Sequence, residues 1–186
     1  MKRMFLPLLC LLAFTFPVAA QSGKDSQPTI AGEINKNISW PESEMVPAAD
    51  AMPEDKYDFA PTAGEFKGVR TFSQQVKHIA AVNYIFGAAI LGEKPPVDTG
   101  GESGPDTMKT KADIMKFLKD SFAYLHKAAG SITAENAVAA IKSPFGDGNT
   151  TRLSLGGQAP AHVFDHYGQM VVYLRMNGIV PPASRK

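Results

Sequence analysis

The stretch 69–92, "VRTFSQQVKHIAAVNYIFGAAILG", constrains this chain more than any other part of it. It holds no proline, has a start signal at or near Thr71, and has Gly92 as a stop. Phe72, Val76, Ile79, Asn83, Phe86 and Ile90 fall on one face at 100° steps. Gln75, His78, Val82, Ile85 and Ala89 make a second stripe beside it. A helix apolar over so wide an arc has to be buried on two sides, as in a bundle.

The remaining segments fit helical partners for it. Residues 30–52 carry a helical rhythm of Ile30, Ile34, Ile38, Met45, Val46 and Ala49. Pro41 and Pro47 interrupt that rhythm, which predicts a broken or kinked helix. Residues 53–70 read as a charged surface connection, and 92–107 as a long Gly/Pro loop of the functional or mobile kind. Thr110 can cap a helix over 110–130, with Asp113 in its first turn and Gly130 at its end. A short extra helix is expected over 133–141, then a loop over 142–150. The last helix lies within 151–177. Gly156, Gly157 and Pro160 blur its start, and Asn177-Gly178 with Pro181-Pro182 stops it. No alternating strand pattern or internal repeat is visible. The expected fold class is an all-α four-helix bundle with one short extra helix and long loops.

The N-terminus reads differently. Lys2 and Arg3 precede an apolar run from Met4 to Phe16, and Val18-Ala19-Ala20 follows. That is the pattern of a secretory signal peptide over 1–20, so an exported protein is expected, periplasmic or extracellular, with a retained anchor as the alternative. The run is shorter than the ~20 residues of a membrane span. Residues 21–29 are a polar lead-in, and 30–184 form one domain. Removing twenty residues from 186 leaves 166, enough for a sizeable core. It also removes Cys10, the chain's single cysteine, and with it disulfide and thiolate chemistry. Without Lys2 and Arg3 the charge stands at 17 basic against 18 acidic residues. Neither nucleic acid nor an anionic membrane is an expected partner at that balance.

Two of the four histidines, His162 and His166, stand one turn apart in "HVFDHYGQM". At that spacing both rings can reach one point. Met170 and Tyr173 continue the same side. Taken alone, the pair fits ordinary core polarity better than metal ligation. The zinc-protease pattern is absent, because Val163 stands where a glutamate is needed. His78 changes the balance: it sits mid-helix in the most apolar segment, where an unpaired imidazole is costly. A metal shared with His162 and His166 would account for it. His126, near the end of its helix, reads as a capping or surface residue.

These residues carry a resemblance. "VRTFSQQVKHIAAVNYIF", "AHVFDHYGQMVVYLRMNGIVPPAS" and "AADAMPEDKYDFAPT" resemble the DinB-like (YfiT-like) superfamily, over about residues 30–184. The resemblance implies a four-helix bundle, often a homodimer, with a divalent metal held by one histidine of the second helix and two of the last. Carried onto this sequence, those ligands are His78, His162 and His166. Better-understood relatives are thiol transferases that use intracellular thiols, and an exported protein would stand apart from that activity.

Three neutral imidazoles suit Zn²⁺, Ni²⁺, Fe²⁺, Co²⁺ or Mn²⁺. They leave the ion's charge intact, which favours lowering the pKa of a bound water or substrate group. Asp165 is a candidate base or outer partner, against the alternative of a solvated charge, and Gln74 can orient a ring or a water. Tyr167 and Tyr173 read as core. The expected function is a metal-dependent enzyme of hydrolase or transferase type acting on a small molecule. The alternative is a non-catalytic exported helical module whose metal is structural or absent. "GGESG" and "GDG" lack the strand-to-helix setting of a phosphate loop.

Overall fold

Thr71 begins the central helix by a reciprocal pair of bonds. Its hydroxyl accepts from the Gln74 amide, and the Gln74 side chain accepts from the Thr71 amide. The helix, second in chain order, then runs from Phe72 to Leu91 and ends on Gly92 at φ +73°, a left-handed stop. Capping thus consumes Gln74, which does not reach toward the His78 ring.

The computed structural model describes residues 27–186. The signal-peptide reading of 1–20 and most of the 21–29 lead-in lie outside the described residues. Within them the order is α1 (Ile30–Ala51), α2 (Phe72–Leu91), α3 (Lys111–Gly130), β1 (Ala140–Lys142), β2 (Asn149–Thr151) and α4 (Arg152–Met176). α2 packs most extensively on α3 and α1 on α4, while α2–α4 and α1–α3 contacts close the four-helix bundle. α2 is buried almost throughout, as its two apolar stripes require. Phe72, Ile79, Leu118, Phe122, Leu125 and Met170 form the middle of one core. Each such side chain contributes roughly 1.5–3 kcal/mol by leaving water.

Tertiary packing carries two helices past their local breakers, and one expected helix is absent. α1 runs unbroken with Pro41 and Pro47 inside it. Its buried face of Ile34, Ile38, Met45, Ala48 and Ala49 offsets interior prolines that cost about 3 kcal/mol each in isolation. α4 likewise starts at Arg152, capped by Thr151, and carries Gly156, Gly157 and Pro160 without interruption. Gly156 lies against α1, where a Cβ would sit 3.0 Å from Ile34, so the small residue permits the close approach. The short helix over 133–141 does not form. Turns lead into β1, which pairs antiparallel with β2, Ile141 opposite Thr150. Nine residues are too few to recover the cost of helix nucleation. The strands went unread because they are three residues long and mostly exposed, without a buried alternation.

His126 does not cap α3. Its Nδ1 meets Asn35 Oδ1 at 2.6 Å and its Nε2 meets Glu42 Oε2 at 2.8 Å, tying α3 to α1. Among the described residues no helix is long and apolar enough to cross a membrane.

Candidate metal centre

α2 and α4 cross so that His78 faces His162 and His166. The i,i+4 spacing keeps the latter pair on one side of α4. His78 and His166 are 5% and 7% exposed, and His162 is half-buried. Their Nε2 atoms converge: His162 to His78 is 3.1 Å, and His166 to His162 is 3.1 Å. Among the described residues this is the one cluster of at least three side chains able to hold a metal ion.

Hydrogen bonding among neutral rings does not account for that convergence. His78 Nδ1 donates to the Glu102 carbonyl at 2.5 Å, so its Nε2 carries a lone pair. His162 Nε2 cannot donate to His78 and accept from His166 at once. The two 3.1 Å contacts can therefore share at most one proton between them. Three lone pairs aimed at one cation resolve the conflict. Zinc–nitrogen bonds of about 2.0–2.1 Å at tetrahedral angles place ligand nitrogens about 3.3 Å apart, near the spacing found here.

Electrostatics keeps the lone pairs free. Burial pushes His162 down to about 3, helped by the positive fields of His166, His78 and Arg70. Burial also takes His166 down to about 4, with His78 adding to the effect and Asp165 opposing it. His78 is lowered by burial as well, and the Glu102 carbonyl works against the shift. The unfolded chain binds protons below about pH 6.5, while in the folded protein His166 refuses them until about 4 and His162 until about 3. Stability is therefore full above about pH 6.5 and falls with pH through that window. Melts of metal-free protein should show a clear drop in Tm between about pH 7.5 and 5. A variant with all three histidines replaced by alanine should show a much smaller one.

The Glu102 carbonyl comes from the 92–107 loop, flagged in the sequence without any particular residue. Two glycines fix its path. Gly104, at φ +77°, lies so close to α2 that a Cβ would stand 2.6 Å from the Lys77 Cβ. Gly100, at φ +55°, would meet the Gly104 carbonyl. Gly104→Ala should lift the loop and break the bond to His78. Zinc affinity should fall by about 10–100-fold, the usual effect of losing a ligand's outer partner, with the helical content unchanged. Competition with a chromogenic chelator measures this directly. Unlike His78, the buried Nδ1 atoms of His162 and His166 have no partner among the described residues.

A cavity of about 490 Å³ opens onto the cluster. Arg70, Val82, Phe86, Phe145 and Gln158 line it with the three rings. Asp165 is not among its lining residues. It is exposed and accepts from Gln169 at 3.1 Å, and Gln169 in turn accepts from Gln75 at 2.9 Å. Tyr173 is 5% exposed and bonds the Arg70 carbonyl, and Tyr167 is half-buried against Glu44. Sequence reading missed Arg70 and Phe145. Arg70 ends a charged connection, and Phe145 sits in the hairpin loop read as featureless.

A helical bundle with three histidines gathered from its second and last helices can hold a divalent metal ion facing an open cavity. The profile of the DinB superfamily matches residues 38–170, and the chain belongs to that superfamily. Two solved structures share the fold. A DinB-like protein from Bacillus subtilis matches with a TM-score of 0.61 at 18% identity, over 78% of this chain and 92% of that one. A DinB-like protein from Bacillus cereus matches with a TM-score of 0.62 at 15% identity, over 83% of this chain and 96% of that one. No curated protein matches the sequence.

Proposed function

We propose that His78, His162 and His166 ligate a divalent metal ion in an exported enzyme of hydrolase or transferase type that acts on a small molecule. The observation that carries this reading is the convergence of three Nε2 atoms at the floor of an open cavity. A structural zinc is normally enclosed by four protein ligands, whereas a catalytic one keeps a position for water or substrate. Three ligands beside about 490 Å³ of accessible space match the second pattern. When bound, the metal supplies Lewis acidity and a lowered pKa for a coordinated water or substrate group.

The chain's own residues set the conditions. Glu102 holds the His78 tautomer, so that its Nε2 faces inward. Phe86, packed edge-on to His162 with centroids 6.3 Å apart, limits water on one side. Export rests on the N-terminal 1–20 segment. The test is metal analysis by mass spectrometry of protein taken from its native compartment, followed by turnover assays with ester, amide and thiol-transfer substrates. One equivalent of metal with chelator-sensitive turnover sustains the reading. Metal without turnover of any such substrate leaves a non-catalytic module, and no metal overturns the site.

A further inference from the structure

The histidine cavity is the middle of three that adjoin. On one side it shares Arg70 with a polar cavity of about 550 Å³, also lined by Lys77, Gln75, Ser103 and Asp106. On the other it shares Glu102 and Phe145 with a cavity of about 520 Å³, walled mainly by Ile85, Ala88, Ala89, Pro95 and Pro144. Polarity therefore changes along the row, with the three imidazoles between a cationic end and an apolar end.

Two cations mark the polar end. Arg70 is half-buried, yet among the described residues its guanidinium has neither a hydrogen-bond acceptor nor a carboxylate partner. Lys77 is 7% exposed, and its ammonium donates to one acceptor there, the Pro105 carbonyl. The backbone behind Arg70 is held by the Tyr173 hydroxyl at 3.0 Å. An unpaired guanidinium on a fixed backbone is a planar fork suited to an oxyanion. Glu102 and Asp106 are the carboxylates on the walls of the polar and middle cavities, and Glu93 lies on the third, where it accepts from the Tyr124 hydroxyl at 2.8 Å; all three residues are exposed to solvent. At the other end Phe145 is 42% exposed and packs edge-on to Phe86 with centroids 5.6 Å apart, an aromatic wall with a free face.

We propose that this cleft takes an amphiphilic organic oxyanion, a carboxylate or a phosphate ester, with its anionic head on Arg70 and its apolar body against Phe86 and Phe145. The segment between head and body then passes over the three histidines. The placement of the reacting segment rests on the metal reading above, whereas the anion site stands on Arg70 alone. A metal held by three neutral ligands would add its uncompensated charge to the same preference.

Calorimetric titration of phenylacetate, phenyl phosphate, acetate and the neutral phenylacetamide tests this, in zinc-loaded and in chelator-treated protein. At least one phenyl anion should bind wild-type protein and lose about tenfold or more in affinity in Arg70→Gln. Arg70→Lys, which keeps the charge without the fork, should fall between. Phenylacetamide should bind more weakly and ignore both changes. Acetate should bind about tenfold more weakly than phenylacetate, and Phe145→Ala should weaken the phenyl-bearing ligands and leave acetate unchanged. Arg70 is partly exposed and its side chain has no partner among the described residues, so its variants should fold, which circular dichroism verifies. The proposal is overturned if neither phenyl anion depends on Arg70, or if phenylacetamide binds as tightly as both anions. Acetate binding as well as phenylacetate would overturn the apolar subsite. Arg70-dependent binding in chelator-treated protein sustains the anion site even where no metal is retained. Zinc retention without Arg70 dependence overturns the anion site and leaves the metal reading intact.

Discussion

His162→Ala protein purified without chelators is expected to contain almost no metal and to keep its helical signal. The proposed site has three protein ligands, and His162 Nε2 is the atom that approaches both of the others. Losing an outer partner typically costs a metal site about 10–100-fold in affinity, and losing one of three direct ligands should cost more. The fold should survive, because the truncated ring is half-buried beside a cavity rather than inside the core. Its Nδ1 is also buried without a partner among the described residues, so removal relieves a polar group as well as losing packing. His126→Ala is the control. That ring joins α1 to α3 through Asn35 and Glu42, away from the cluster, so its loss should lower Tm and leave metal content alone. If the two variants exchanged these phenotypes, the ligand assignment would be wrong.

Zinc is expected to raise the melting temperature strongly. The unfolded chain separates His78 from His162 by 84 positions, so the converged site exists only in the native state. A ligand that binds only the native state stabilises it by about 4 kcal/mol at a free concentration a thousandfold above its dissociation constant. For a domain of this size each kcal/mol moves Tm by roughly 2–4 °C, so the shift should be roughly 8–16 °C. Each further tenfold in free zinc should add about 1.4 kcal/mol, and EDTA should reverse the whole effect. Differential scanning fluorimetry across a zinc series measures this. An unchanged Tm across that series, or an equal shift in the triple-alanine variant, would reject the site.

The helix ends and the candidate ligands were legible for related reasons. Thr71, Thr110, Gly92 and Asn177-Gly178 act within four residues of themselves, and the structure uses them as caps and stops. His162 and His166 share a face by helical geometry alone. The lone histidine of the most apolar helix was the one ring that lacked a local explanation. Where local signals competed with distant packing they misled. Pro41, Pro47 and Pro160 sit inside helices whose other faces are buried, and the alanine-rich 133–141 segment was too short to be a helix.

By itself, the sequence determined a helical chain, its principal caps, and three histidines whose placement on two helices suits a shared ion. Those properties follow from periodicities of a few residues. Only the tertiary structure brought the three Nε2 atoms within reach of one another, set the Glu102 carbonyl on His78, and left Arg70 on the cavity wall without a side-chain partner among the described residues. His78 lies 24 positions from Glu102 and 84 from His162 in the chain. Their meeting depends on how α2, α4 and the glycine-pinned loop pack together, which no local pattern encodes.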